Sequence, residues 1–219
     1  MAADLVRDEG DDSWLDLESV DRILGTARSV RRNLDFERPV ELRVLFDCIN
    51  LATQAPTGAG GENWRFLVVT DRQRKSQLAD LYRAAISDLQ RERGLQIKPT
   101  QEALMARLPD IPAMILVCAI GEAPGPETAT QVAFYGSVLP AAWSLMLALR
   151  SRNLGSTWTS LLAARSQDVA RILDIPGDVV QTVMLPVGHM KGAKLRRAER
   201  DDARSVTFLN RWGESPQKL

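Results

Sequence analysis

Two hydrophobic patterns alternate along the chain. Apolar residues that recur every three or four positions are typical of amphipathic helices, and they predict helices over 13–27, 39–55, 72–94, 131–153 and 166–175. A further short helix is expected within 95–108. Short apolar and β-branched runs predict strands over 64–71, 110–121 and 178–188, with 204–213 as a candidate fourth.

Several residues set the limits of these elements. Asp16 or Ser13 can cap the first helix, and Gly94 ends the long charged one. The run 110–121 does not alternate, so this strand should be buried on both faces. The helix at 131–153 is apolar around most of its circumference and should be central, with Pro140 kinking it or marking its effective start.

The order of the elements predicts an α+β fold. No internal repeat or low-complexity linker divides the chain. The connections between successive strands are long and helical, which argues against a hairpin-rich antiparallel sheet. We expect one domain over 14–219, preceded by an acidic, disordered extension over 1–13.

Composition and charge exclude several classes of function. The chain has 219 residues with 28 basic and 28 acidic side chains, which gives no indication of nucleic acid as a partner. The longest apolar runs are shorter than the roughly 20 residues of a membrane helix, so no membrane is expected either. With two cysteines and one histidine, no zinc or iron–sulfur site is expected, and a reducing, cytoplasmic setting fits best.

Three polar clusters lie at the ends of predicted core elements. The stretch 27–32 holds three arginines and a serine, which can clamp a phosphate, although a solvated basic turn explains it as well. The glycine-rich stretch 56–64 lies between a helix and a strand, the wrong order for a P-loop or a Rossmann turn. It is either a plain turn or a bared backbone beside a ligand. The stretch 154–162 surrounds Trp158 with hydroxyls that can bind the rim of a heterocycle, or it is an ordinary threonine-rich strand.

The order of these clusters resembles that of the flavin-dependent nitroreductase family. An early RSxR, a helix ending in AP[ST]G before WRFxVV, a central helix followed by LGS, then LPVGHMKG and NRWG occur in this order over 18–213. The resemblance implies a three-layer fold with a central mixed sheet flanked by helices. It also implies a homodimer whose C-terminal tail reaches the partner, with FMN bound at the dimer interface and reduced by NAD(P)H in a ping-pong cycle.

Carried over residue by residue, the resemblance gives ten flavin-binding positions. Arg28, Ser29 and Arg31 would hold the FMN phosphate and ribityl chain, and Arg32 would compensate for a family arginine that is Ala27 here. The other positions are Thr57 and Gly58 at the isoalloxazine edge, Trp158, Thr159 and Ser160 at the polar rim of the ring, and Arg200 as a second phosphate charge. No catalytic side chain and no metal are expected, since FMN carries the redox chemistry.

Three functions stay open at this point. The favoured one is NAD(P)H-dependent reduction of nitroaromatic, quinone or similar planar acceptors. The second is other chemistry on the same fold, reductive dehalogenation or flavin fragmentation, because the PTGAxxE pattern is closer to the branch of iodotyrosine deiodinase and benzimidazole synthase. Those relatives carry a lid where 84–108 lie here. The third is a protein that holds a flavin or deazaflavin without turnover, since Ala27 and Gly60 replace family ligands. Glu62 and Asn63 also depart from the family loop, and we expect specificity to differ there.

Overall fold

A computed structural model describes residues 16–58, 61–94 and 96–216. The extension predicted at 1–13, and with it the alternative cap Ser13, lies outside the described residues. Contacts divide the described chain into two compact units, one formed by 16–26 with 195–216 and the other by 27–194.

The helices and strands follow the predicted pattern closely. The helices are α1 (Leu17–Thr26), α2 (Leu42–Ala52), α3 (Arg72–Arg93), α4 (Pro99–Arg107), α5 (Thr128–Gly136), α6 (Leu139–Ser151) and α7 (Ser166–Leu173). The strands are β1 (Leu34–Asp35), β2 (Trp64–Val69), β3 (Ala113–Ile120), β4 (Leu154–Ser156) and β5 (Val179–Met190). The predicted helices and the three main strands are therefore confirmed, and so is the α+β class.

The unit formed by the two chain ends contains α1 and a C-terminal segment. Asp16 caps α1 as predicted, because its Oδ1 accepts from the backbone N–H groups of Glu18 and Ser19 at 3.1 and 3.3 Å. The strand predicted at 204–213 is wrong: this segment contains a 3-10 turn over Ala203–Val206 and otherwise coil. Asp202 explains the turn, since its carboxylate accepts from the Arg204 N–H at 2.9 Å and so competes with an extended conformation.

The larger unit is built on a five-stranded sheet with the order β1-β5-β3-β2, in which β4 also pairs with β5. Within the described residues, all four strand pairs are antiparallel, and parallel pairing is limited to an isolated bridge between Ser29 and Ser156. The expected mixed sheet is thus almost wholly antiparallel, although no hairpin joins its main strands. The connection from β2 to β3 contains two helices, α3 and α4, instead of one. The second helix reverses the chain direction once more, so β3 runs antiparallel to β2.

Strand β3 lies at the centre of the core. Seven of its eight residues are buried, which confirms that both faces are covered. On one face, Ile115 and Val117 pack with Leu145 and Leu149 of α6 and Leu45 of α2, so these two helices form one layer over the sheet. Met114, Leu116 and Cys118 of the opposite face are buried as well.

The long apolar stretch predicted at 131–153 is divided into α5 and α6. The break falls at Ser137–Val138, and Pro140 lies in the first turn of α6, where a missing N–H costs nothing. Residues Thr128–Ser151 are long and apolar enough to cross a membrane by length and composition alone. Six residues of α6 are buried in the protein core, however, and a core helix passes the same criterion.

Candidate functional site

Hydrogen bonds bring the arginine cluster and the Trp158 cluster together. The Val30 N–H donates to the Ser156 carbonyl at 2.8 Å, and the Thr157 hydroxyl donates to the Val30 carbonyl at 2.7 Å. The Ser29 hydroxyl oxygen accepts from the Trp158 N–H at 3.1 Å, and no acceptor for its own proton is found among the described residues, so that this proton can bond to a ligand. We name this junction of 28–31 with 156–158 the Ser29–Trp158 junction.

Close packing behind the junction depends on Gly155. A Cβ atom at this position would lie 2.7 Å from Leu34 Cδ2 and 3.1 Å from both Val30 Cβ and Met190 Cγ. Residue 155 is therefore a glycine because the side chain of Val30 occupies the space beside it. This contact holds the backbone of the arginine cluster against β4.

The arginines at the junction differ in exposure. Arg28 and Arg31 are half-buried, whereas Arg32 is exposed. The guanidinium of Arg28 donates through Nη1 to the Ala27 carbonyl at 2.6 Å, which fixes its side chain close to the backbone. Ala27, where the related family carries an arginine, is only 6% exposed. The packing at this position accommodates a methyl group.

The predicted rim residues have unequal access to solvent. Thr159 is buried and pairs with Met184 through two backbone hydrogen bonds of 3.1 and 2.8 Å, and its hydroxyl accepts from the Leu161 N–H at 3.4 Å. Trp158 is half-buried and packs against the main core, while Ser160 is exposed. Of the three, Trp158 and Ser160 can reach a ligand directly, and Thr159 offers chiefly its position in the backbone.

The glycine-rich loop is held at a different place. Thr57 and Gly58 are exposed, and the Gly58 N–H donates to the Ser137 hydroxyl at 2.8 Å. Ser137 lies in the break just before α6, whereas Ser156 of the junction follows the end of that helix. The 13 residues of α6 span about 20 Å at 1.5 Å per residue. Among the contacts described for this part of the chain, none joins Thr57 or Gly58 to the junction.

The residues that depart from the family loop follow the same glycines. The carbonyl of Glu62 accepts from Arg65 Nη1 at 3.0 Å. Asn63 Oδ1 and Trp64 Nε1 are both buried without a hydrogen-bond partner in the part of the chain that the structure describes. Buried polar atoms are normally paired, so these two atoms are exceptions in the described part of the loop.

Arg200 belongs to the unit formed by the two chain ends. It is exposed and lies in coil, and the other nine predicted positions belong to the larger unit. Nearby, Arg204 is paired with Asp202 at 2.7 Å, and its hydrogen bond lowers the pKa of that carboxyl to about 2. Arg204 is thus engaged within its own segment.

An ion-pair network anchors the segment that follows the junction. Arg165, at the end of the 3-10 turn Leu161–Arg165, pairs with Asp88 of α3 and lies 3.8 Å from Asp168 of α7. The hydrogen bond from Arg165 lowers the pKa of the Asp88 carboxyl. The turn after Ser160 is therefore fixed to two helices.

The side chains of the junction offer hydrogen-bond donors and positive charge. In the described ranges, no group of three or more histidine, cysteine or acidic residues is close enough to hold a metal ion. Burial raises the pKa of the Cys48 thiol and raises that of Cys118 to about 11, so both stay protonated. What the junction presents is two half-buried guanidinium groups and a serine hydroxyl, a donor set that suits a phosphate.

Two contributors to this arrangement were missed from the sequence. Ser137 reaches a residue 79 positions away, and no local pattern indicates such a partner. Gly155 lies within a stretch that we interpreted by its hydroxyls and by the LGS pattern of the family, without a packing role for the glycine. Its position directly after an apolar residue in a predicted strand was the available signal, since a glycine there often marks close approach of another backbone.

Comparisons with known proteins agree with the fold. The model of the nitroreductase family matches residues 24–189. Iodotyrosine deiodinase of Thermotoga neapolitana is 28% identical over 171 residues, which cover 76% of this chain and 86% of that protein. The 5,6-dimethylbenzimidazole synthase of Rhodospirillum rubrum is 27% identical over 163 residues, covering 68% of this chain and 72% of that protein.

A solved structure gives the same result. Oxidized iodotyrosine deiodinase bound to FMN and 3-iodo-L-tyrosine superposes with a TM-score of 0.66 at 23% identity, over 84% of this chain and 96% of the other. At 23% identity, this structural similarity shows the fold alone. The predicted three-layer architecture is therefore confirmed.

Proposed function

The chain belongs to the nitroreductase family, and we propose that it is an FMN-dependent oxidoreductase that takes electrons from NAD(P)H and reduces a small planar acceptor such as a nitroaromatic or a quinone. The observation that carries this proposal is the Ser29–Trp158 junction, where Arg28, Ser29 and Arg31 are held against Ser156–Trp158.

The donor set of the junction fits the phosphate end of FMN. Arg28 and Arg31 would neutralise its charge, and the free proton of Ser29 would donate to a phosphate oxygen. Arg32 is exposed and would add charge from the outside. Bound FMN would supply the hydride-transfer chemistry. Trp158 and Ser160 would border the ring, and the bared backbone at Thr57 and Gly58 would leave the ring face open to a second planar molecule.

We also propose that the protein works as a homodimer. Leu42 and Phe46 of α2 and Trp143 of α6 are 51, 56 and 41% exposed. They lie on two helices that pack together, and exposed apolar side chains that lie close together often mark a protein–protein interface. The glycine-rich loop bonds next to the start of α6 and the junction follows the end of this helix, which is about 20 Å long. Each flavin site would be complete if it took the loop from one subunit and the junction from the other. The exposed Trp212 and Arg200 of the C-terminal segment would then contact the partner subunit or its flavin.

The dimer can be tested at its apolar surface. Phe46→Glu places a charge on the exposed face without touching the core. Sedimentation velocity should show a monomer for this variant and a dimer for the unchanged protein. A matched Glu substitution at Arg93, exposed at the end of α3, should leave the dimer intact. A monomeric unchanged protein would reject this part of the proposal.

A second function is favoured by the two curated relatives, which are a deiodinase and a benzimidazole synthase rather than nitroreductases. Both lie at similar identity, so reductive dehalogenation and flavin fragmentation remain the alternative activities on this site. Reduction of a nitroaromatic and of 3-iodotyrosine by the same purified protein would separate them. Faster turnover of the iodinated substrate would favour dehalogenation, and oxygen-dependent loss of the flavin absorbance would favour fragmentation.

The phosphate assignment is tested separately from the acceptor. Arg28→Ala should weaken FMN binding at least tenfold, because it removes one of two half-buried cations. Arg93→Ala, which removes an equal charge from an exposed helix end, is the control and should bind FMN like the unchanged protein. Equal affinities of the two variants would reject the phosphate assignment.

A further inference from the structure

The strongest feature outside the junction is the bond between the glycine-rich loop and the break that separates α5 from α6. Ser137 is 2% exposed and lies just after α5. Its hydroxyl donates to the Ala133 carbonyl at 2.8 Å and accepts from the Gly58 N–H at 2.8 Å. One side chain thus joins the end of a helix to a loop 79 residues earlier in the chain.

The hydrogen bond that Ser137 donates fixes the direction of the one that it accepts. A serine hydroxyl has a single proton and two lone pairs. Because the proton is committed to Ala133 within the last turn of α5, the lone pairs face outward to the loop, where Gly58 donates. The Ser137 hydroxyl therefore has one orientation, and its oxygen is the acceptor of the Gly58 N–H.

Gly58 is also closely packed against the helix end. A Cβ atom at this position would lie 3.3 Å from Ser137 Oγ and 3.7 Å from the Ala133 carbonyl oxygen. The loop therefore lies directly on the Ala133–Ser137 turn of the helix. Its glycine allows a backbone approach that a side chain would hinder.

We propose that Ser137 is a positioning residue of the flavin site, whose hydroxyl fixes the Thr57–Gly58 backbone in the place where it borders the isoalloxazine ring. This inference rests on the proposed function. It also defines the role of Gly58: its N–H is already bonded to Ser137, so Gly58 contributes an open backbone surface and not a hydrogen bond to the ring.

The test compares two serines that make the same local bond. Ser87 also donates to the carbonyl four residues before it in a helix, at 3.1 Å, but its hydroxyl is in an exposed position on α3. Ser137→Ala should bind FMN about five- to tenfold more weakly, the effect of one lost hydrogen bond. It should also change the visible circular dichroism of the bound flavin, since the loop moves relative to the ring. Ser87→Ala should leave both unchanged.

The outcomes separate this inference from the proposed function. If the unchanged protein binds no FMN, both fail. If it binds FMN and Ser137→Ala matches Ser87→Ala in affinity and dichroism, the positioning role alone is overturned, even where Ser137→Ala lowers the melting temperature. If Ser137→Ala does not fold, Ser137→Cys keeps the size of the side chain with a weaker donor and acceptor. The same weakening is expected for that variant, and an affinity equal to the unchanged protein overturns the inference.

Discussion

Replacing Gly155 by alanine tests the packing that supports the Ser29–Trp158 junction. The added Cβ would lie 2.7 Å from Leu34 Cδ2 and 3.1 Å from Val30 Cβ. Leu34 is 5% exposed and has little room to turn away, and the Cβ of Val30 moves only with its backbone. Either the strand pair around β4 or the arginine segment must therefore shift by several tenths of an ångström.

The expected loss follows from two opposing effects. Overpacking of a closed core costs about 1–3 kcal/mol. Replacing glycine by alanine also lowers the conformational entropy of the unfolded chain, which stabilises the folded state by about 0.4–1 kcal/mol. The centres of the two ranges leave a net loss of about 1.3 kcal/mol, which corresponds to a melting temperature lower by about 3–5 °C for a chain of this size.

Urea unfolding followed by circular dichroism measures this loss directly, and FMN titration measures its effect on the site. Gly177→Ala is the control, because a Cβ there meets no atom within 4 Å. We expect Gly155→Ala to unfold at lower urea and to bind FMN more weakly than the control. If both variants unfold at the same urea concentration, the packing argument is refuted. If only stability falls while FMN affinity is unchanged, the link from Gly155 to the arginine segment is refuted.

Three further predictions follow from buried or paired ionisable groups. Lys75 is 7% exposed and donates to the Ile111 carbonyl at 2.6 Å, so Lys75→Met should lower the free energy of unfolding by about 1–3 kcal/mol in urea, and an unchanged midpoint would contradict this. The hydrogen bond from Arg165 holds the pKa of the Asp88 carboxyl below its ordinary value of 3.8, so the stabilisation by this ion pair is present above pH 3.8 and is lost as the pH falls through the lower pKa of the folded state. On acidification, Asp88→Asn should therefore lose less stability than the unchanged protein. Parallel curves of stability against pH would exclude the Asp88–Arg165 pair as a cause of acid destabilisation. The pKa of Cys118 is raised by burial to about 11, so iodoacetamide at pH 8 should modify this thiol only in urea, and labelling of the folded protein would contradict its burial.

The regular elements could be predicted from the sequence because their hydrophobic periods are local. The unbroken apolar run of β3 gave a strand buried on both faces, and Pro140 marked the start of α6. The two-residue strand β1 was missed, since Leu34–Asp35 is too short to show a period. The strand expected at 204–213 failed because the side chain of Asp202 captures a backbone N–H that a sheet would need.

The site could be predicted only in part. The arginine cluster is joined to Trp158 by a hydrogen bond between residues 129 positions apart. Neither stretch of sequence contains a pattern that predicts the other as its partner. The order of motifs along the chain supplied that pairing through the family resemblance. Ser137 gave no such signal, because its partner is a backbone N–H, which any residue except proline carries.

The central claim is that the chain is an FMN-dependent enzyme, and the absorbance spectrum of the purified protein tests it most directly. We expect a yellow protein with flavin absorbance that bleaches when NADH or NADPH is added without oxygen and returns with the acceptor. The cofactor released on denaturation should have the mass of FMN. A protein that is colourless after reconstitution with FMN would contradict the claim, and a bound flavin that neither nicotinamide reduces would leave a binding protein in place of the proposed enzyme.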